Sequence, residues 1–285
     1  MADIQWTQTI TPKNKNTSFF KEIIDYKDLI LLIVRRDFVK EFKQTILGPI
    51  WFIIQPVFQT VILLFVFGKI GEMGPNGIPQ ISFYLSGVII WNLFSDTLLK
   101  TSETFRANAS VFGKVYFPRI IAPLSVMITN YLKFGVQLVL LFIVYAYEYS
   151  TSDLINPNLT LLLLPIYVIL ASLMGLGFGL IISSLTTKYW DLRFLVQFGV
   201  QLIMFMSTVI TPYSNLVDKP GWMQYAIIGN PISSYIEGVR FSFLGIHGGT
   251  FYTPGLIYST AVSISVLILG IIIFSRVEKT FMDTV

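Results

Sequence analysis

Few side chains in this sequence could do chemistry, and none stands in a catalytic pattern. The single histidine, His247, is followed by Gly248 and Gly249. That setting suits a turn and leaves no Ser/His/Asp arrangement to build around it. Cysteine is absent, which excludes disulfides, thiolate metal sites and cysteine nucleophiles. No G-x-x-x-x-G-K-[ST] phosphate loop occurs; Gly113-Lys114 lacks both the upstream glycine and the following hydroxyl residue. The expectation is therefore no catalytic residue, no metal site and no cofactor bound by this chain.

What remains are charges and aromatic rings in apolar surroundings. Asp96 and Lys133 lie in long apolar runs. A charge at mid-bilayer costs about 2.5–3.5 kcal/mol on insertion scales, so each must face protein, water or the other, or reach an interface. Glu237 and Arg240, three apart on one helix, could pair locally. Trp51, Phe52, Tyr84, Trp91 and Phe94 fit either an interfacial aromatic belt or an aromatic lining for a sugar pathway.

The elements that must position these residues are membrane helices. Of 285 residues, 54% are hydrophobic and 13% charged, where a soluble domain carries about 25% charged residues. Mean hydropathy is +0.68. The first apolar run starts near Ile46, too far along for a signal peptide. From Ile46 to Phe67 the chain is almost wholly apolar, enough for a helix of about 33 Å against a hydrocarbon core of about 30 Å. Similar runs predict six transmembrane helices at about 46–67, 81–99, 120–147, 159–185, 194–211 and 255–275. Ala171, Gly175, Gly179 and Ser183, spaced by four, would let helix backbones approach closely, inside one chain or at a dimer seam.

Two stretches are apolar without being spans. In 19–43, Ile23, Tyr26, Ile30, Val34, Phe38 and Phe42 recur every three or four residues, which predicts an amphipathic helix in the membrane interface or docked on a partner. Residues 1–18 before it are polar and predict a disordered cytoplasmic N-terminus. Segment 220–245 is broken at Gly229, Asn230 and Pro231, and each half is too short to cross. It predicts a re-entrant pair of short helices before the last span, or else an amphipathic surface loop. Lys and Arg set the orientation. Sixteen fall on the side of the two termini, in the arm, 100–119, 186–193 and the tail 278–285 with its approach, and three on the other side. Both termini are thus expected in the cytoplasm. The basic residues track the membrane surface and give no nucleic-acid face.

A six-span chain without chemistry of its own moves something, with energy from an ion gradient or a partner. Only the C-terminal half holds an obvious broken element, unlike the paired broken helices of secondary transporters. That favours a partner. The stretch RRDFVKEFKQTILGPIWFIIQP (35–56) resembles the N-terminal signature of ABC transporter type-2 permeases that export polysaccharides. Further matches follow in order: SGVIIWNLFSDTL (86–98), KVYFPRIIAPLS (114–125), KYWDLRFLVQFGVQLIMFMSTVITP (188–212), NPISSYIEGVR (230–240) and FSRVEKTFMDTV (274–285). Together they cover about residues 30–285.

The resemblance implies a type-2 ABC transmembrane domain over 46–277 in the bacterial cytoplasmic (inner) membrane. It implies a second copy of the chain, a channel between the copies, and two copies of a separate subunit that binds ATP and magnesium. The cargo would be a lipid-linked glycan: O-antigen, teichoic acid or capsule. The same architecture could instead serve drug or lipid efflux, and a secondary transporter is the third alternative. By position, Trp51, Phe52, Tyr84, Trp91 and Phe94 become channel-lining candidates. Segment 100–118 with Arg106 and Lys114, and the arm with Arg35 and Arg36, become contacts to the ATPase. Segment 213–245, with Asn230, Pro231, Glu237 and Arg240, becomes the outer gate.

Overall fold

The computed structural model describes residues 24–43, 45–71, 74, 78–112, 117–151, 155, 157–186, 191–216 and 221–280. The predicted N-terminal segment 1–18, the start of the arm, Lys114 and the last five residues of the tail lie outside the described residues. Among the described residues all regular structure is helical.

Helix α1 (Lys27–Phe42) is the arm. It buries Ile30, Ile33 and Val34 and leaves Leu31 and Leu32 exposed. Gly48, at φ +55°, turns the chain from α1 into the first long helix; the left-handed backbone there suits glycine. That helix, α2 (Trp51–Leu63), tolerates Pro56 and winds into a π-helical turn, Leu64–Ile70. Then come α3 (Gln80–Ser102), two single-turn pieces α4 (Thr104–Ala107) and α5 (Ala109–Phe112), and the long α6 (Ile121–Thr151). Helices α7 (Leu164–Thr186, led in by a 3-10 turn from Leu159), α8 (Leu192–Phe205), α9 (Gly221–Ile228), α10 (Pro231–Leu244) and α11 (Thr253–Thr280) complete the order.

Among the described residues, five helical stretches are long and apolar enough to cross a membrane: Gly48–Ile70, Gln80–Ser102, Ile121–Thr151, Leu159–Thr186 and Thr253–Glu278. The run predicted as a fifth span, 194–211, differs. Helix α8 has 14 residues, about 21 Å against the roughly 30 Å of hydrocarbon. It stops at Phe205, and residues 206–212 continue as bends and turns, with Ser207, Thr208, Val209, Ile210 and Thr211 buried. In 220–245 the break falls where the sequence places it. Asn230 caps α10 by accepting a hydrogen bond from Ile232 N at 3.3 Å, with Pro231 in the first turn, where its missing N–H is not needed.

Helix α3 is the axis of the bundle. Its spanning stretch is 89% buried, whereas that of α11 is 17% buried. One apolar core surrounds α3, with Phe83, Tyr84, Val88, Ile89, Trp91 and Phe94 packed against α6, α7 and α10. A second core joins α1, α4, α5 and the lower ends of α6, α7 and α11 through Ile30, Phe105, Phe112, Ile121, Leu180 and Phe274. Phe105 stacks on Phe274 at 4.6 Å. Arg119 fastens the same region, donating from Nη1 to the Glu278 carbonyl at 2.8 Å.

The small residues of α7 act within the chain. A Cβ on Gly175 would lie 2.6 Å from the Phe94 carbonyl oxygen, and one on Gly179 2.5 Å from Thr101 Cβ, so this stripe seats α7 on α3. Gly177, on another face, meets the α11 backbone: its Cβ would sit 2.7 Å from Leu267 N. Backbone cannot yield as a flexible side chain can. Gly177→Ala should therefore destabilise the protein by about 1–3 kcal/mol, read as a lower melting temperature in detergent. Gly135→Ala in α6, where nothing lies within 4 Å of the added methyl, should leave it unchanged or slightly raised.

Candidate functional site

The first polar cluster answers a local problem. Past the end of α8 at Phe205, the backbone of the buried stretch Ser207–Thr211 has no helical partners. Irregular backbone at membrane depth persists only where protein or water satisfies it. Helix α10 supplies the partners. Asn230 Nδ2 donates to the Met206 carbonyl at 3.1 Å. Ser233 Oγ accepts from Thr208 N at 3.2 Å, and Thr208 Oγ1 donates to the Ser233 carbonyl at 3.1 Å. Arg240 does most: Nη1 donates to the Thr208 carbonyl, Nη2 to the Val209 carbonyl at 2.9 Å, and Nε to the Phe83 carbonyl at 3.1 Å.

The charge of Arg240 is met as well. Glu237 Oε1 lies 3.2 Å from Nη1, the local pair that the spacing of three allows, and both side chains are buried at 0% and 1% exposure. Glu237 Oε2 accepts from Thr250 N at 3.0 Å. The guanidinium also lies over the Phe83 ring, 3.6 Å from its centroid. Space for it comes from Gly87, where a Cβ would be 2.5 Å from Nη2. A buried ion pair is tolerated when its remaining donors and acceptors are occupied, as here.

The second cluster sits near the other end of α3. Glu41, the penultimate residue of α1, bonds Lys100 of α3 through Oε1 and Lys133 of α6 through Oε2, the latter at 2.6 Å. Asp96 is 3.7 Å from Lys133. The Asp96–Lys133 approach expected from their shared apolar setting is thus present, but the shorter contact of Lys133 is to Glu41. Asn130 braces the group, with Oδ1 3.5 Å from Lys100 Nζ and Nδ2 donating to Thr97 Oγ1 at 3.2 Å. Lys133 also lies 5.4 Å from the centre of the Phe52 ring. Partial burial raises the Glu41 carboxyl, and the two ammonium groups outweigh it, leaving its pKa below the ordinary value of 4.5. Glu41 carries no apolar-face signal in the sequence and reads there as one surface charge among several.

The sequence-derived candidates fall in distinct places. Phe52, Tyr84, Trp91 and Phe94 are buried within the single chain, at 0–8% exposure, while Trp51 is 47% exposed. Tyr84, Trp91 and Phe94 belong to the core around α3. Arg35, Arg36 and Arg106 are exposed, and Arg36 Nε bonds Asp37 at 2.7 Å. Asn230, Pro231, Glu237 and Arg240 are brought together at the α9–α10 break and along α10. His247 falls in the short 3-10 helix Gly245–His247. No group of three or more His, Cys, Asp or Glu is placed to hold a metal among the described residues.

Long apolar helices around a buried axis, with polar clusters that fasten helices together, define a multi-pass membrane protein. A family model for the ABC-2 type transporter matches residues 28–244, and the chain belongs to that family. It is similar to two O-antigen export system permease proteins, both RfbA of Klebsiella pneumoniae. One is 25% identical over 260 residues, covering 90% of this chain and 94% of that protein. The other is 25% identical over 259 residues, with the same coverage. A third RfbA, from Myxococcus xanthus, is 23% identical over 200 residues, covering 70% of this chain and 74% of that protein.

Two tests separate the roles in these clusters. Arg240→Ala leaves Glu237 buried without its counter-ion and should cost about 3–5 kcal/mol. If neutralising Glu237 were the whole role of Arg240, the double change Glu237→Leu/Arg240→Met would restore stability. We expect no such rescue, because the carbonyls of Phe83, Thr208 and Val209 still lose their donors; the readout is melting temperature and monodisperse yield. For the second cluster, a carboxyl held below its ordinary pKa adds stability that is complete above the unfolded value and is lost as pH falls through the folded one. The melting-temperature gap between wild type and Glu41→Gln should therefore be full at pH 7 and close on acidification below about pH 4.5.

Proposed function

We propose that this chain is the membrane subunit of an ATP-driven exporter that moves a lipid-linked polysaccharide, O-antigen first among the alternatives, across the bacterial cytoplasmic membrane. The observation that carries the reading is the likeness to O-antigen export permeases over nine-tenths of the chain. Two copies form the channel and two copies of an ATP-binding subunit, holding ATP and magnesium, drive it. The two termini lie in the cytoplasm. The fifth of six spans is α8 together with the buried irregular stretch after it, and α9–α10 form a re-entrant outer gate anchored by Asn230, Pro231, Glu237 and Arg240.

The exposed faces support a channel between copies. In α2, Trp51, Gln55 and Phe58 are exposed on neighbouring turns. An amide facing lipid within a span is costly, whereas an aromatic ring beside an amide suits sugar, the ring stacking on pyranose faces and the amide bonding hydroxyls. Of the five aromatic candidates, Trp51 is the one that fits this role; the packing of Phe52, Tyr84, Trp91 and Phe94 around α3 suits a structural one. Exposed Phe194, Leu195, Phe198 and Leu202 give α8 a second uncovered face.

On the cytoplasmic side, α1 with Arg35 and Arg36 and the α4–α5 segment with Arg106 and Lys114 contact the ATPase. Exchanging all of 100–118 would confuse contact with folding, because Phe105 and Phe112 are core residues. The exposed Arg106 is the sharper probe. Arg106→Glu, purified as a folded, monodisperse protein, should lower co-purification of the ATPase several-fold; full recovery of the ATPase would refute the assignment. For the cargo, reconstituted permease and ATPase should hydrolyse ATP several-fold faster with lipid-linked glycan. Stimulation by an apolar drug and not by glycan, or transport by this chain alone on an ion gradient, would replace the reading.

A further inference from the structure

We propose that Glu103 and Arg193 form the joint through which the ATPase-facing segment moves α8, so that both act as positioning residues for export. The inference rests on the export reading, which places an ATPase beneath 100–118. The geometry starts from a helix that is hardly packed. Among the described residues of α8, Val200 alone is buried, whereas the spanning stretch of α3 is 89% buried. Phe194, Leu195, Phe198 and Leu202 stay exposed. Few buried apolar contacts leave an element free to move. What holds α8 sits at its ends. Just past its far end, the Met206 carbonyl accepts from Asn230, and Thr208 pairs with Ser233.

At the near end Arg193, the second residue of α8, forms an ion pair with Glu103 at 2.6 Å. A cation in the first turn opposes the helix dipole, so α8 by itself does not favour arginine at this place. Nor is the pair a strong fastener. Both side chains are 40% exposed, and ion pairs in contact with water add little to stability. Its value lies in what it connects. Glu103 is the residue at which α3 ends and α4 begins. Its N–H donates to the Lys100 carbonyl at 3.3 Å, and its own carbonyl accepts from Ala107 N at 2.9 Å. Thr186 Oγ1, at the end of α7, donates to the neighbouring Ser102 carbonyl at 3.1 Å. The chain therefore leaves α7 beside Ser102 and enters α8 beside Glu103.

This layout makes α8 a lever. A helix fastened at both ends and loosely packed between them moves as a unit when one end is shifted. Helix α4, which starts at Glu103, carries Arg106, the contact assigned to the ATPase. A push on that segment reaches Arg193 through Glu103, while Asn230 and Ser233 hold the other end. Charge suits the task. Coulomb attraction falls off slowly with distance and persists through a small displacement, where an apolar contact is lost as soon as its atoms separate. The exposed face of α8 is the one assigned above to the channel between copies, so its tilt would set the width of the path.

The test uses the full chain with its co-purified ATPase in nanodiscs. Cysteine is absent from the sequence, so Gln201→Cys, at an exposed position of α8, gives one site for an environment-sensitive dye. With Glu103 and Arg193 in place, ATP should change the dye signal. Arg193→Glu sets two carboxylates against each other and should cut that change several-fold, with the ATPase still co-purifying. The exchange Glu103→Arg/Arg193→Glu restores opposite charges and should restore the change; Arg193→Lys, which keeps the charge, should retain most of it. A full ATP response in folded Arg193→Glu protein, or no recovery in the exchange, would overturn the joint and leave a surface ion pair. If Arg193→Glu does not fold, Arg193→Gln decides in its place. Failure of the export reading shows separately, in wild type: no ATPase co-purifies, or its hydrolysis ignores lipid-linked glycan. A wild-type complex whose dye ignores ATP would overturn the joint alone.

Discussion

The constraint on which this end of the bundle depends is the buried irregular stretch that follows α8. Irregular backbone among buried residues leaves carbonyl groups that must find donors. Arg240 meets that demand with a planar fork of N–H groups, reaching α3 at the Phe83 carbonyl and the irregular stretch at Thr208 and Val209. A lysine ammonium could not present three donors in this plane, nor lie flat on the Phe83 ring. The rest follows from that placement. Gly87 must lack a side chain; Glu237 must stand beside the guanidinium; and Thr250 N, satisfied by Glu237, fixes the chain just before α11. One side chain therefore fastens α3, the end of α8 and α10, and through Glu237 the approach to α11.

The same helix α3 carries the other cluster. Phe83 and Lys100 are separated by seventeen residues, about 26 Å of helix. Between them α3 is the most buried span of the bundle, seated on α7 by glycines at 175 and 179. The arm thus grips α3 through Glu41 at one end, and the short helices α9–α10 grip it through Arg240 at the other. On the proposed reading, an ATPase beneath the arm and a gate at the outer face would act on opposite ends of one rigid element.

What could be read from the sequence was set by how each interaction is encoded. Long apolar runs encode spans directly, so five helices lie where the runs do. The Gly229-Asn230-Pro231 break is encoded too, because capping and the fixed φ of proline are local. The family likeness was legible because six short stretches keep their order, and the family match spans 28–244. The stop of α8 at Phe205 was not legible. Residues 206–211 are as apolar as a span, and what holds them out of a helix is a set of hydrogen-bond partners from α10 and its cap, more than twenty residues on. Lys133 presented the same difficulty: its apolar surroundings pointed to Asp96, but its shorter partner, Glu41, lies ninety-two residues away on a helix whose charges read as solvent-facing. The aromatic residues show the limit of composition. Trp51 and Trp91 look alike in sequence, yet one is 47% exposed and the other 4%.

That last contrast bears on how a single chain of this kind can work. A bundle whose aromatic residues were all packed around α3 would offer a polymer nothing to slide along. This chain divides them: Phe83, Tyr84, Trp91 and Phe94 pack in the axis, while Trp51 and Phe58, with Gln55 between them, remain on the exposed face of α2. Lipid would cover the rings readily but not the amide. A surface suited to neither bulk water nor hydrocarbon is best covered by something amphipathic, and a pyranose ring, apolar on its faces and polar at its rim, matches both components. A second copy opposing the same face would enclose such a path without any further polar residue in the bundle interior. The buried charges are then free to serve as fasteners, which is the use that Arg240, Glu237 and the Glu41 cluster make of them.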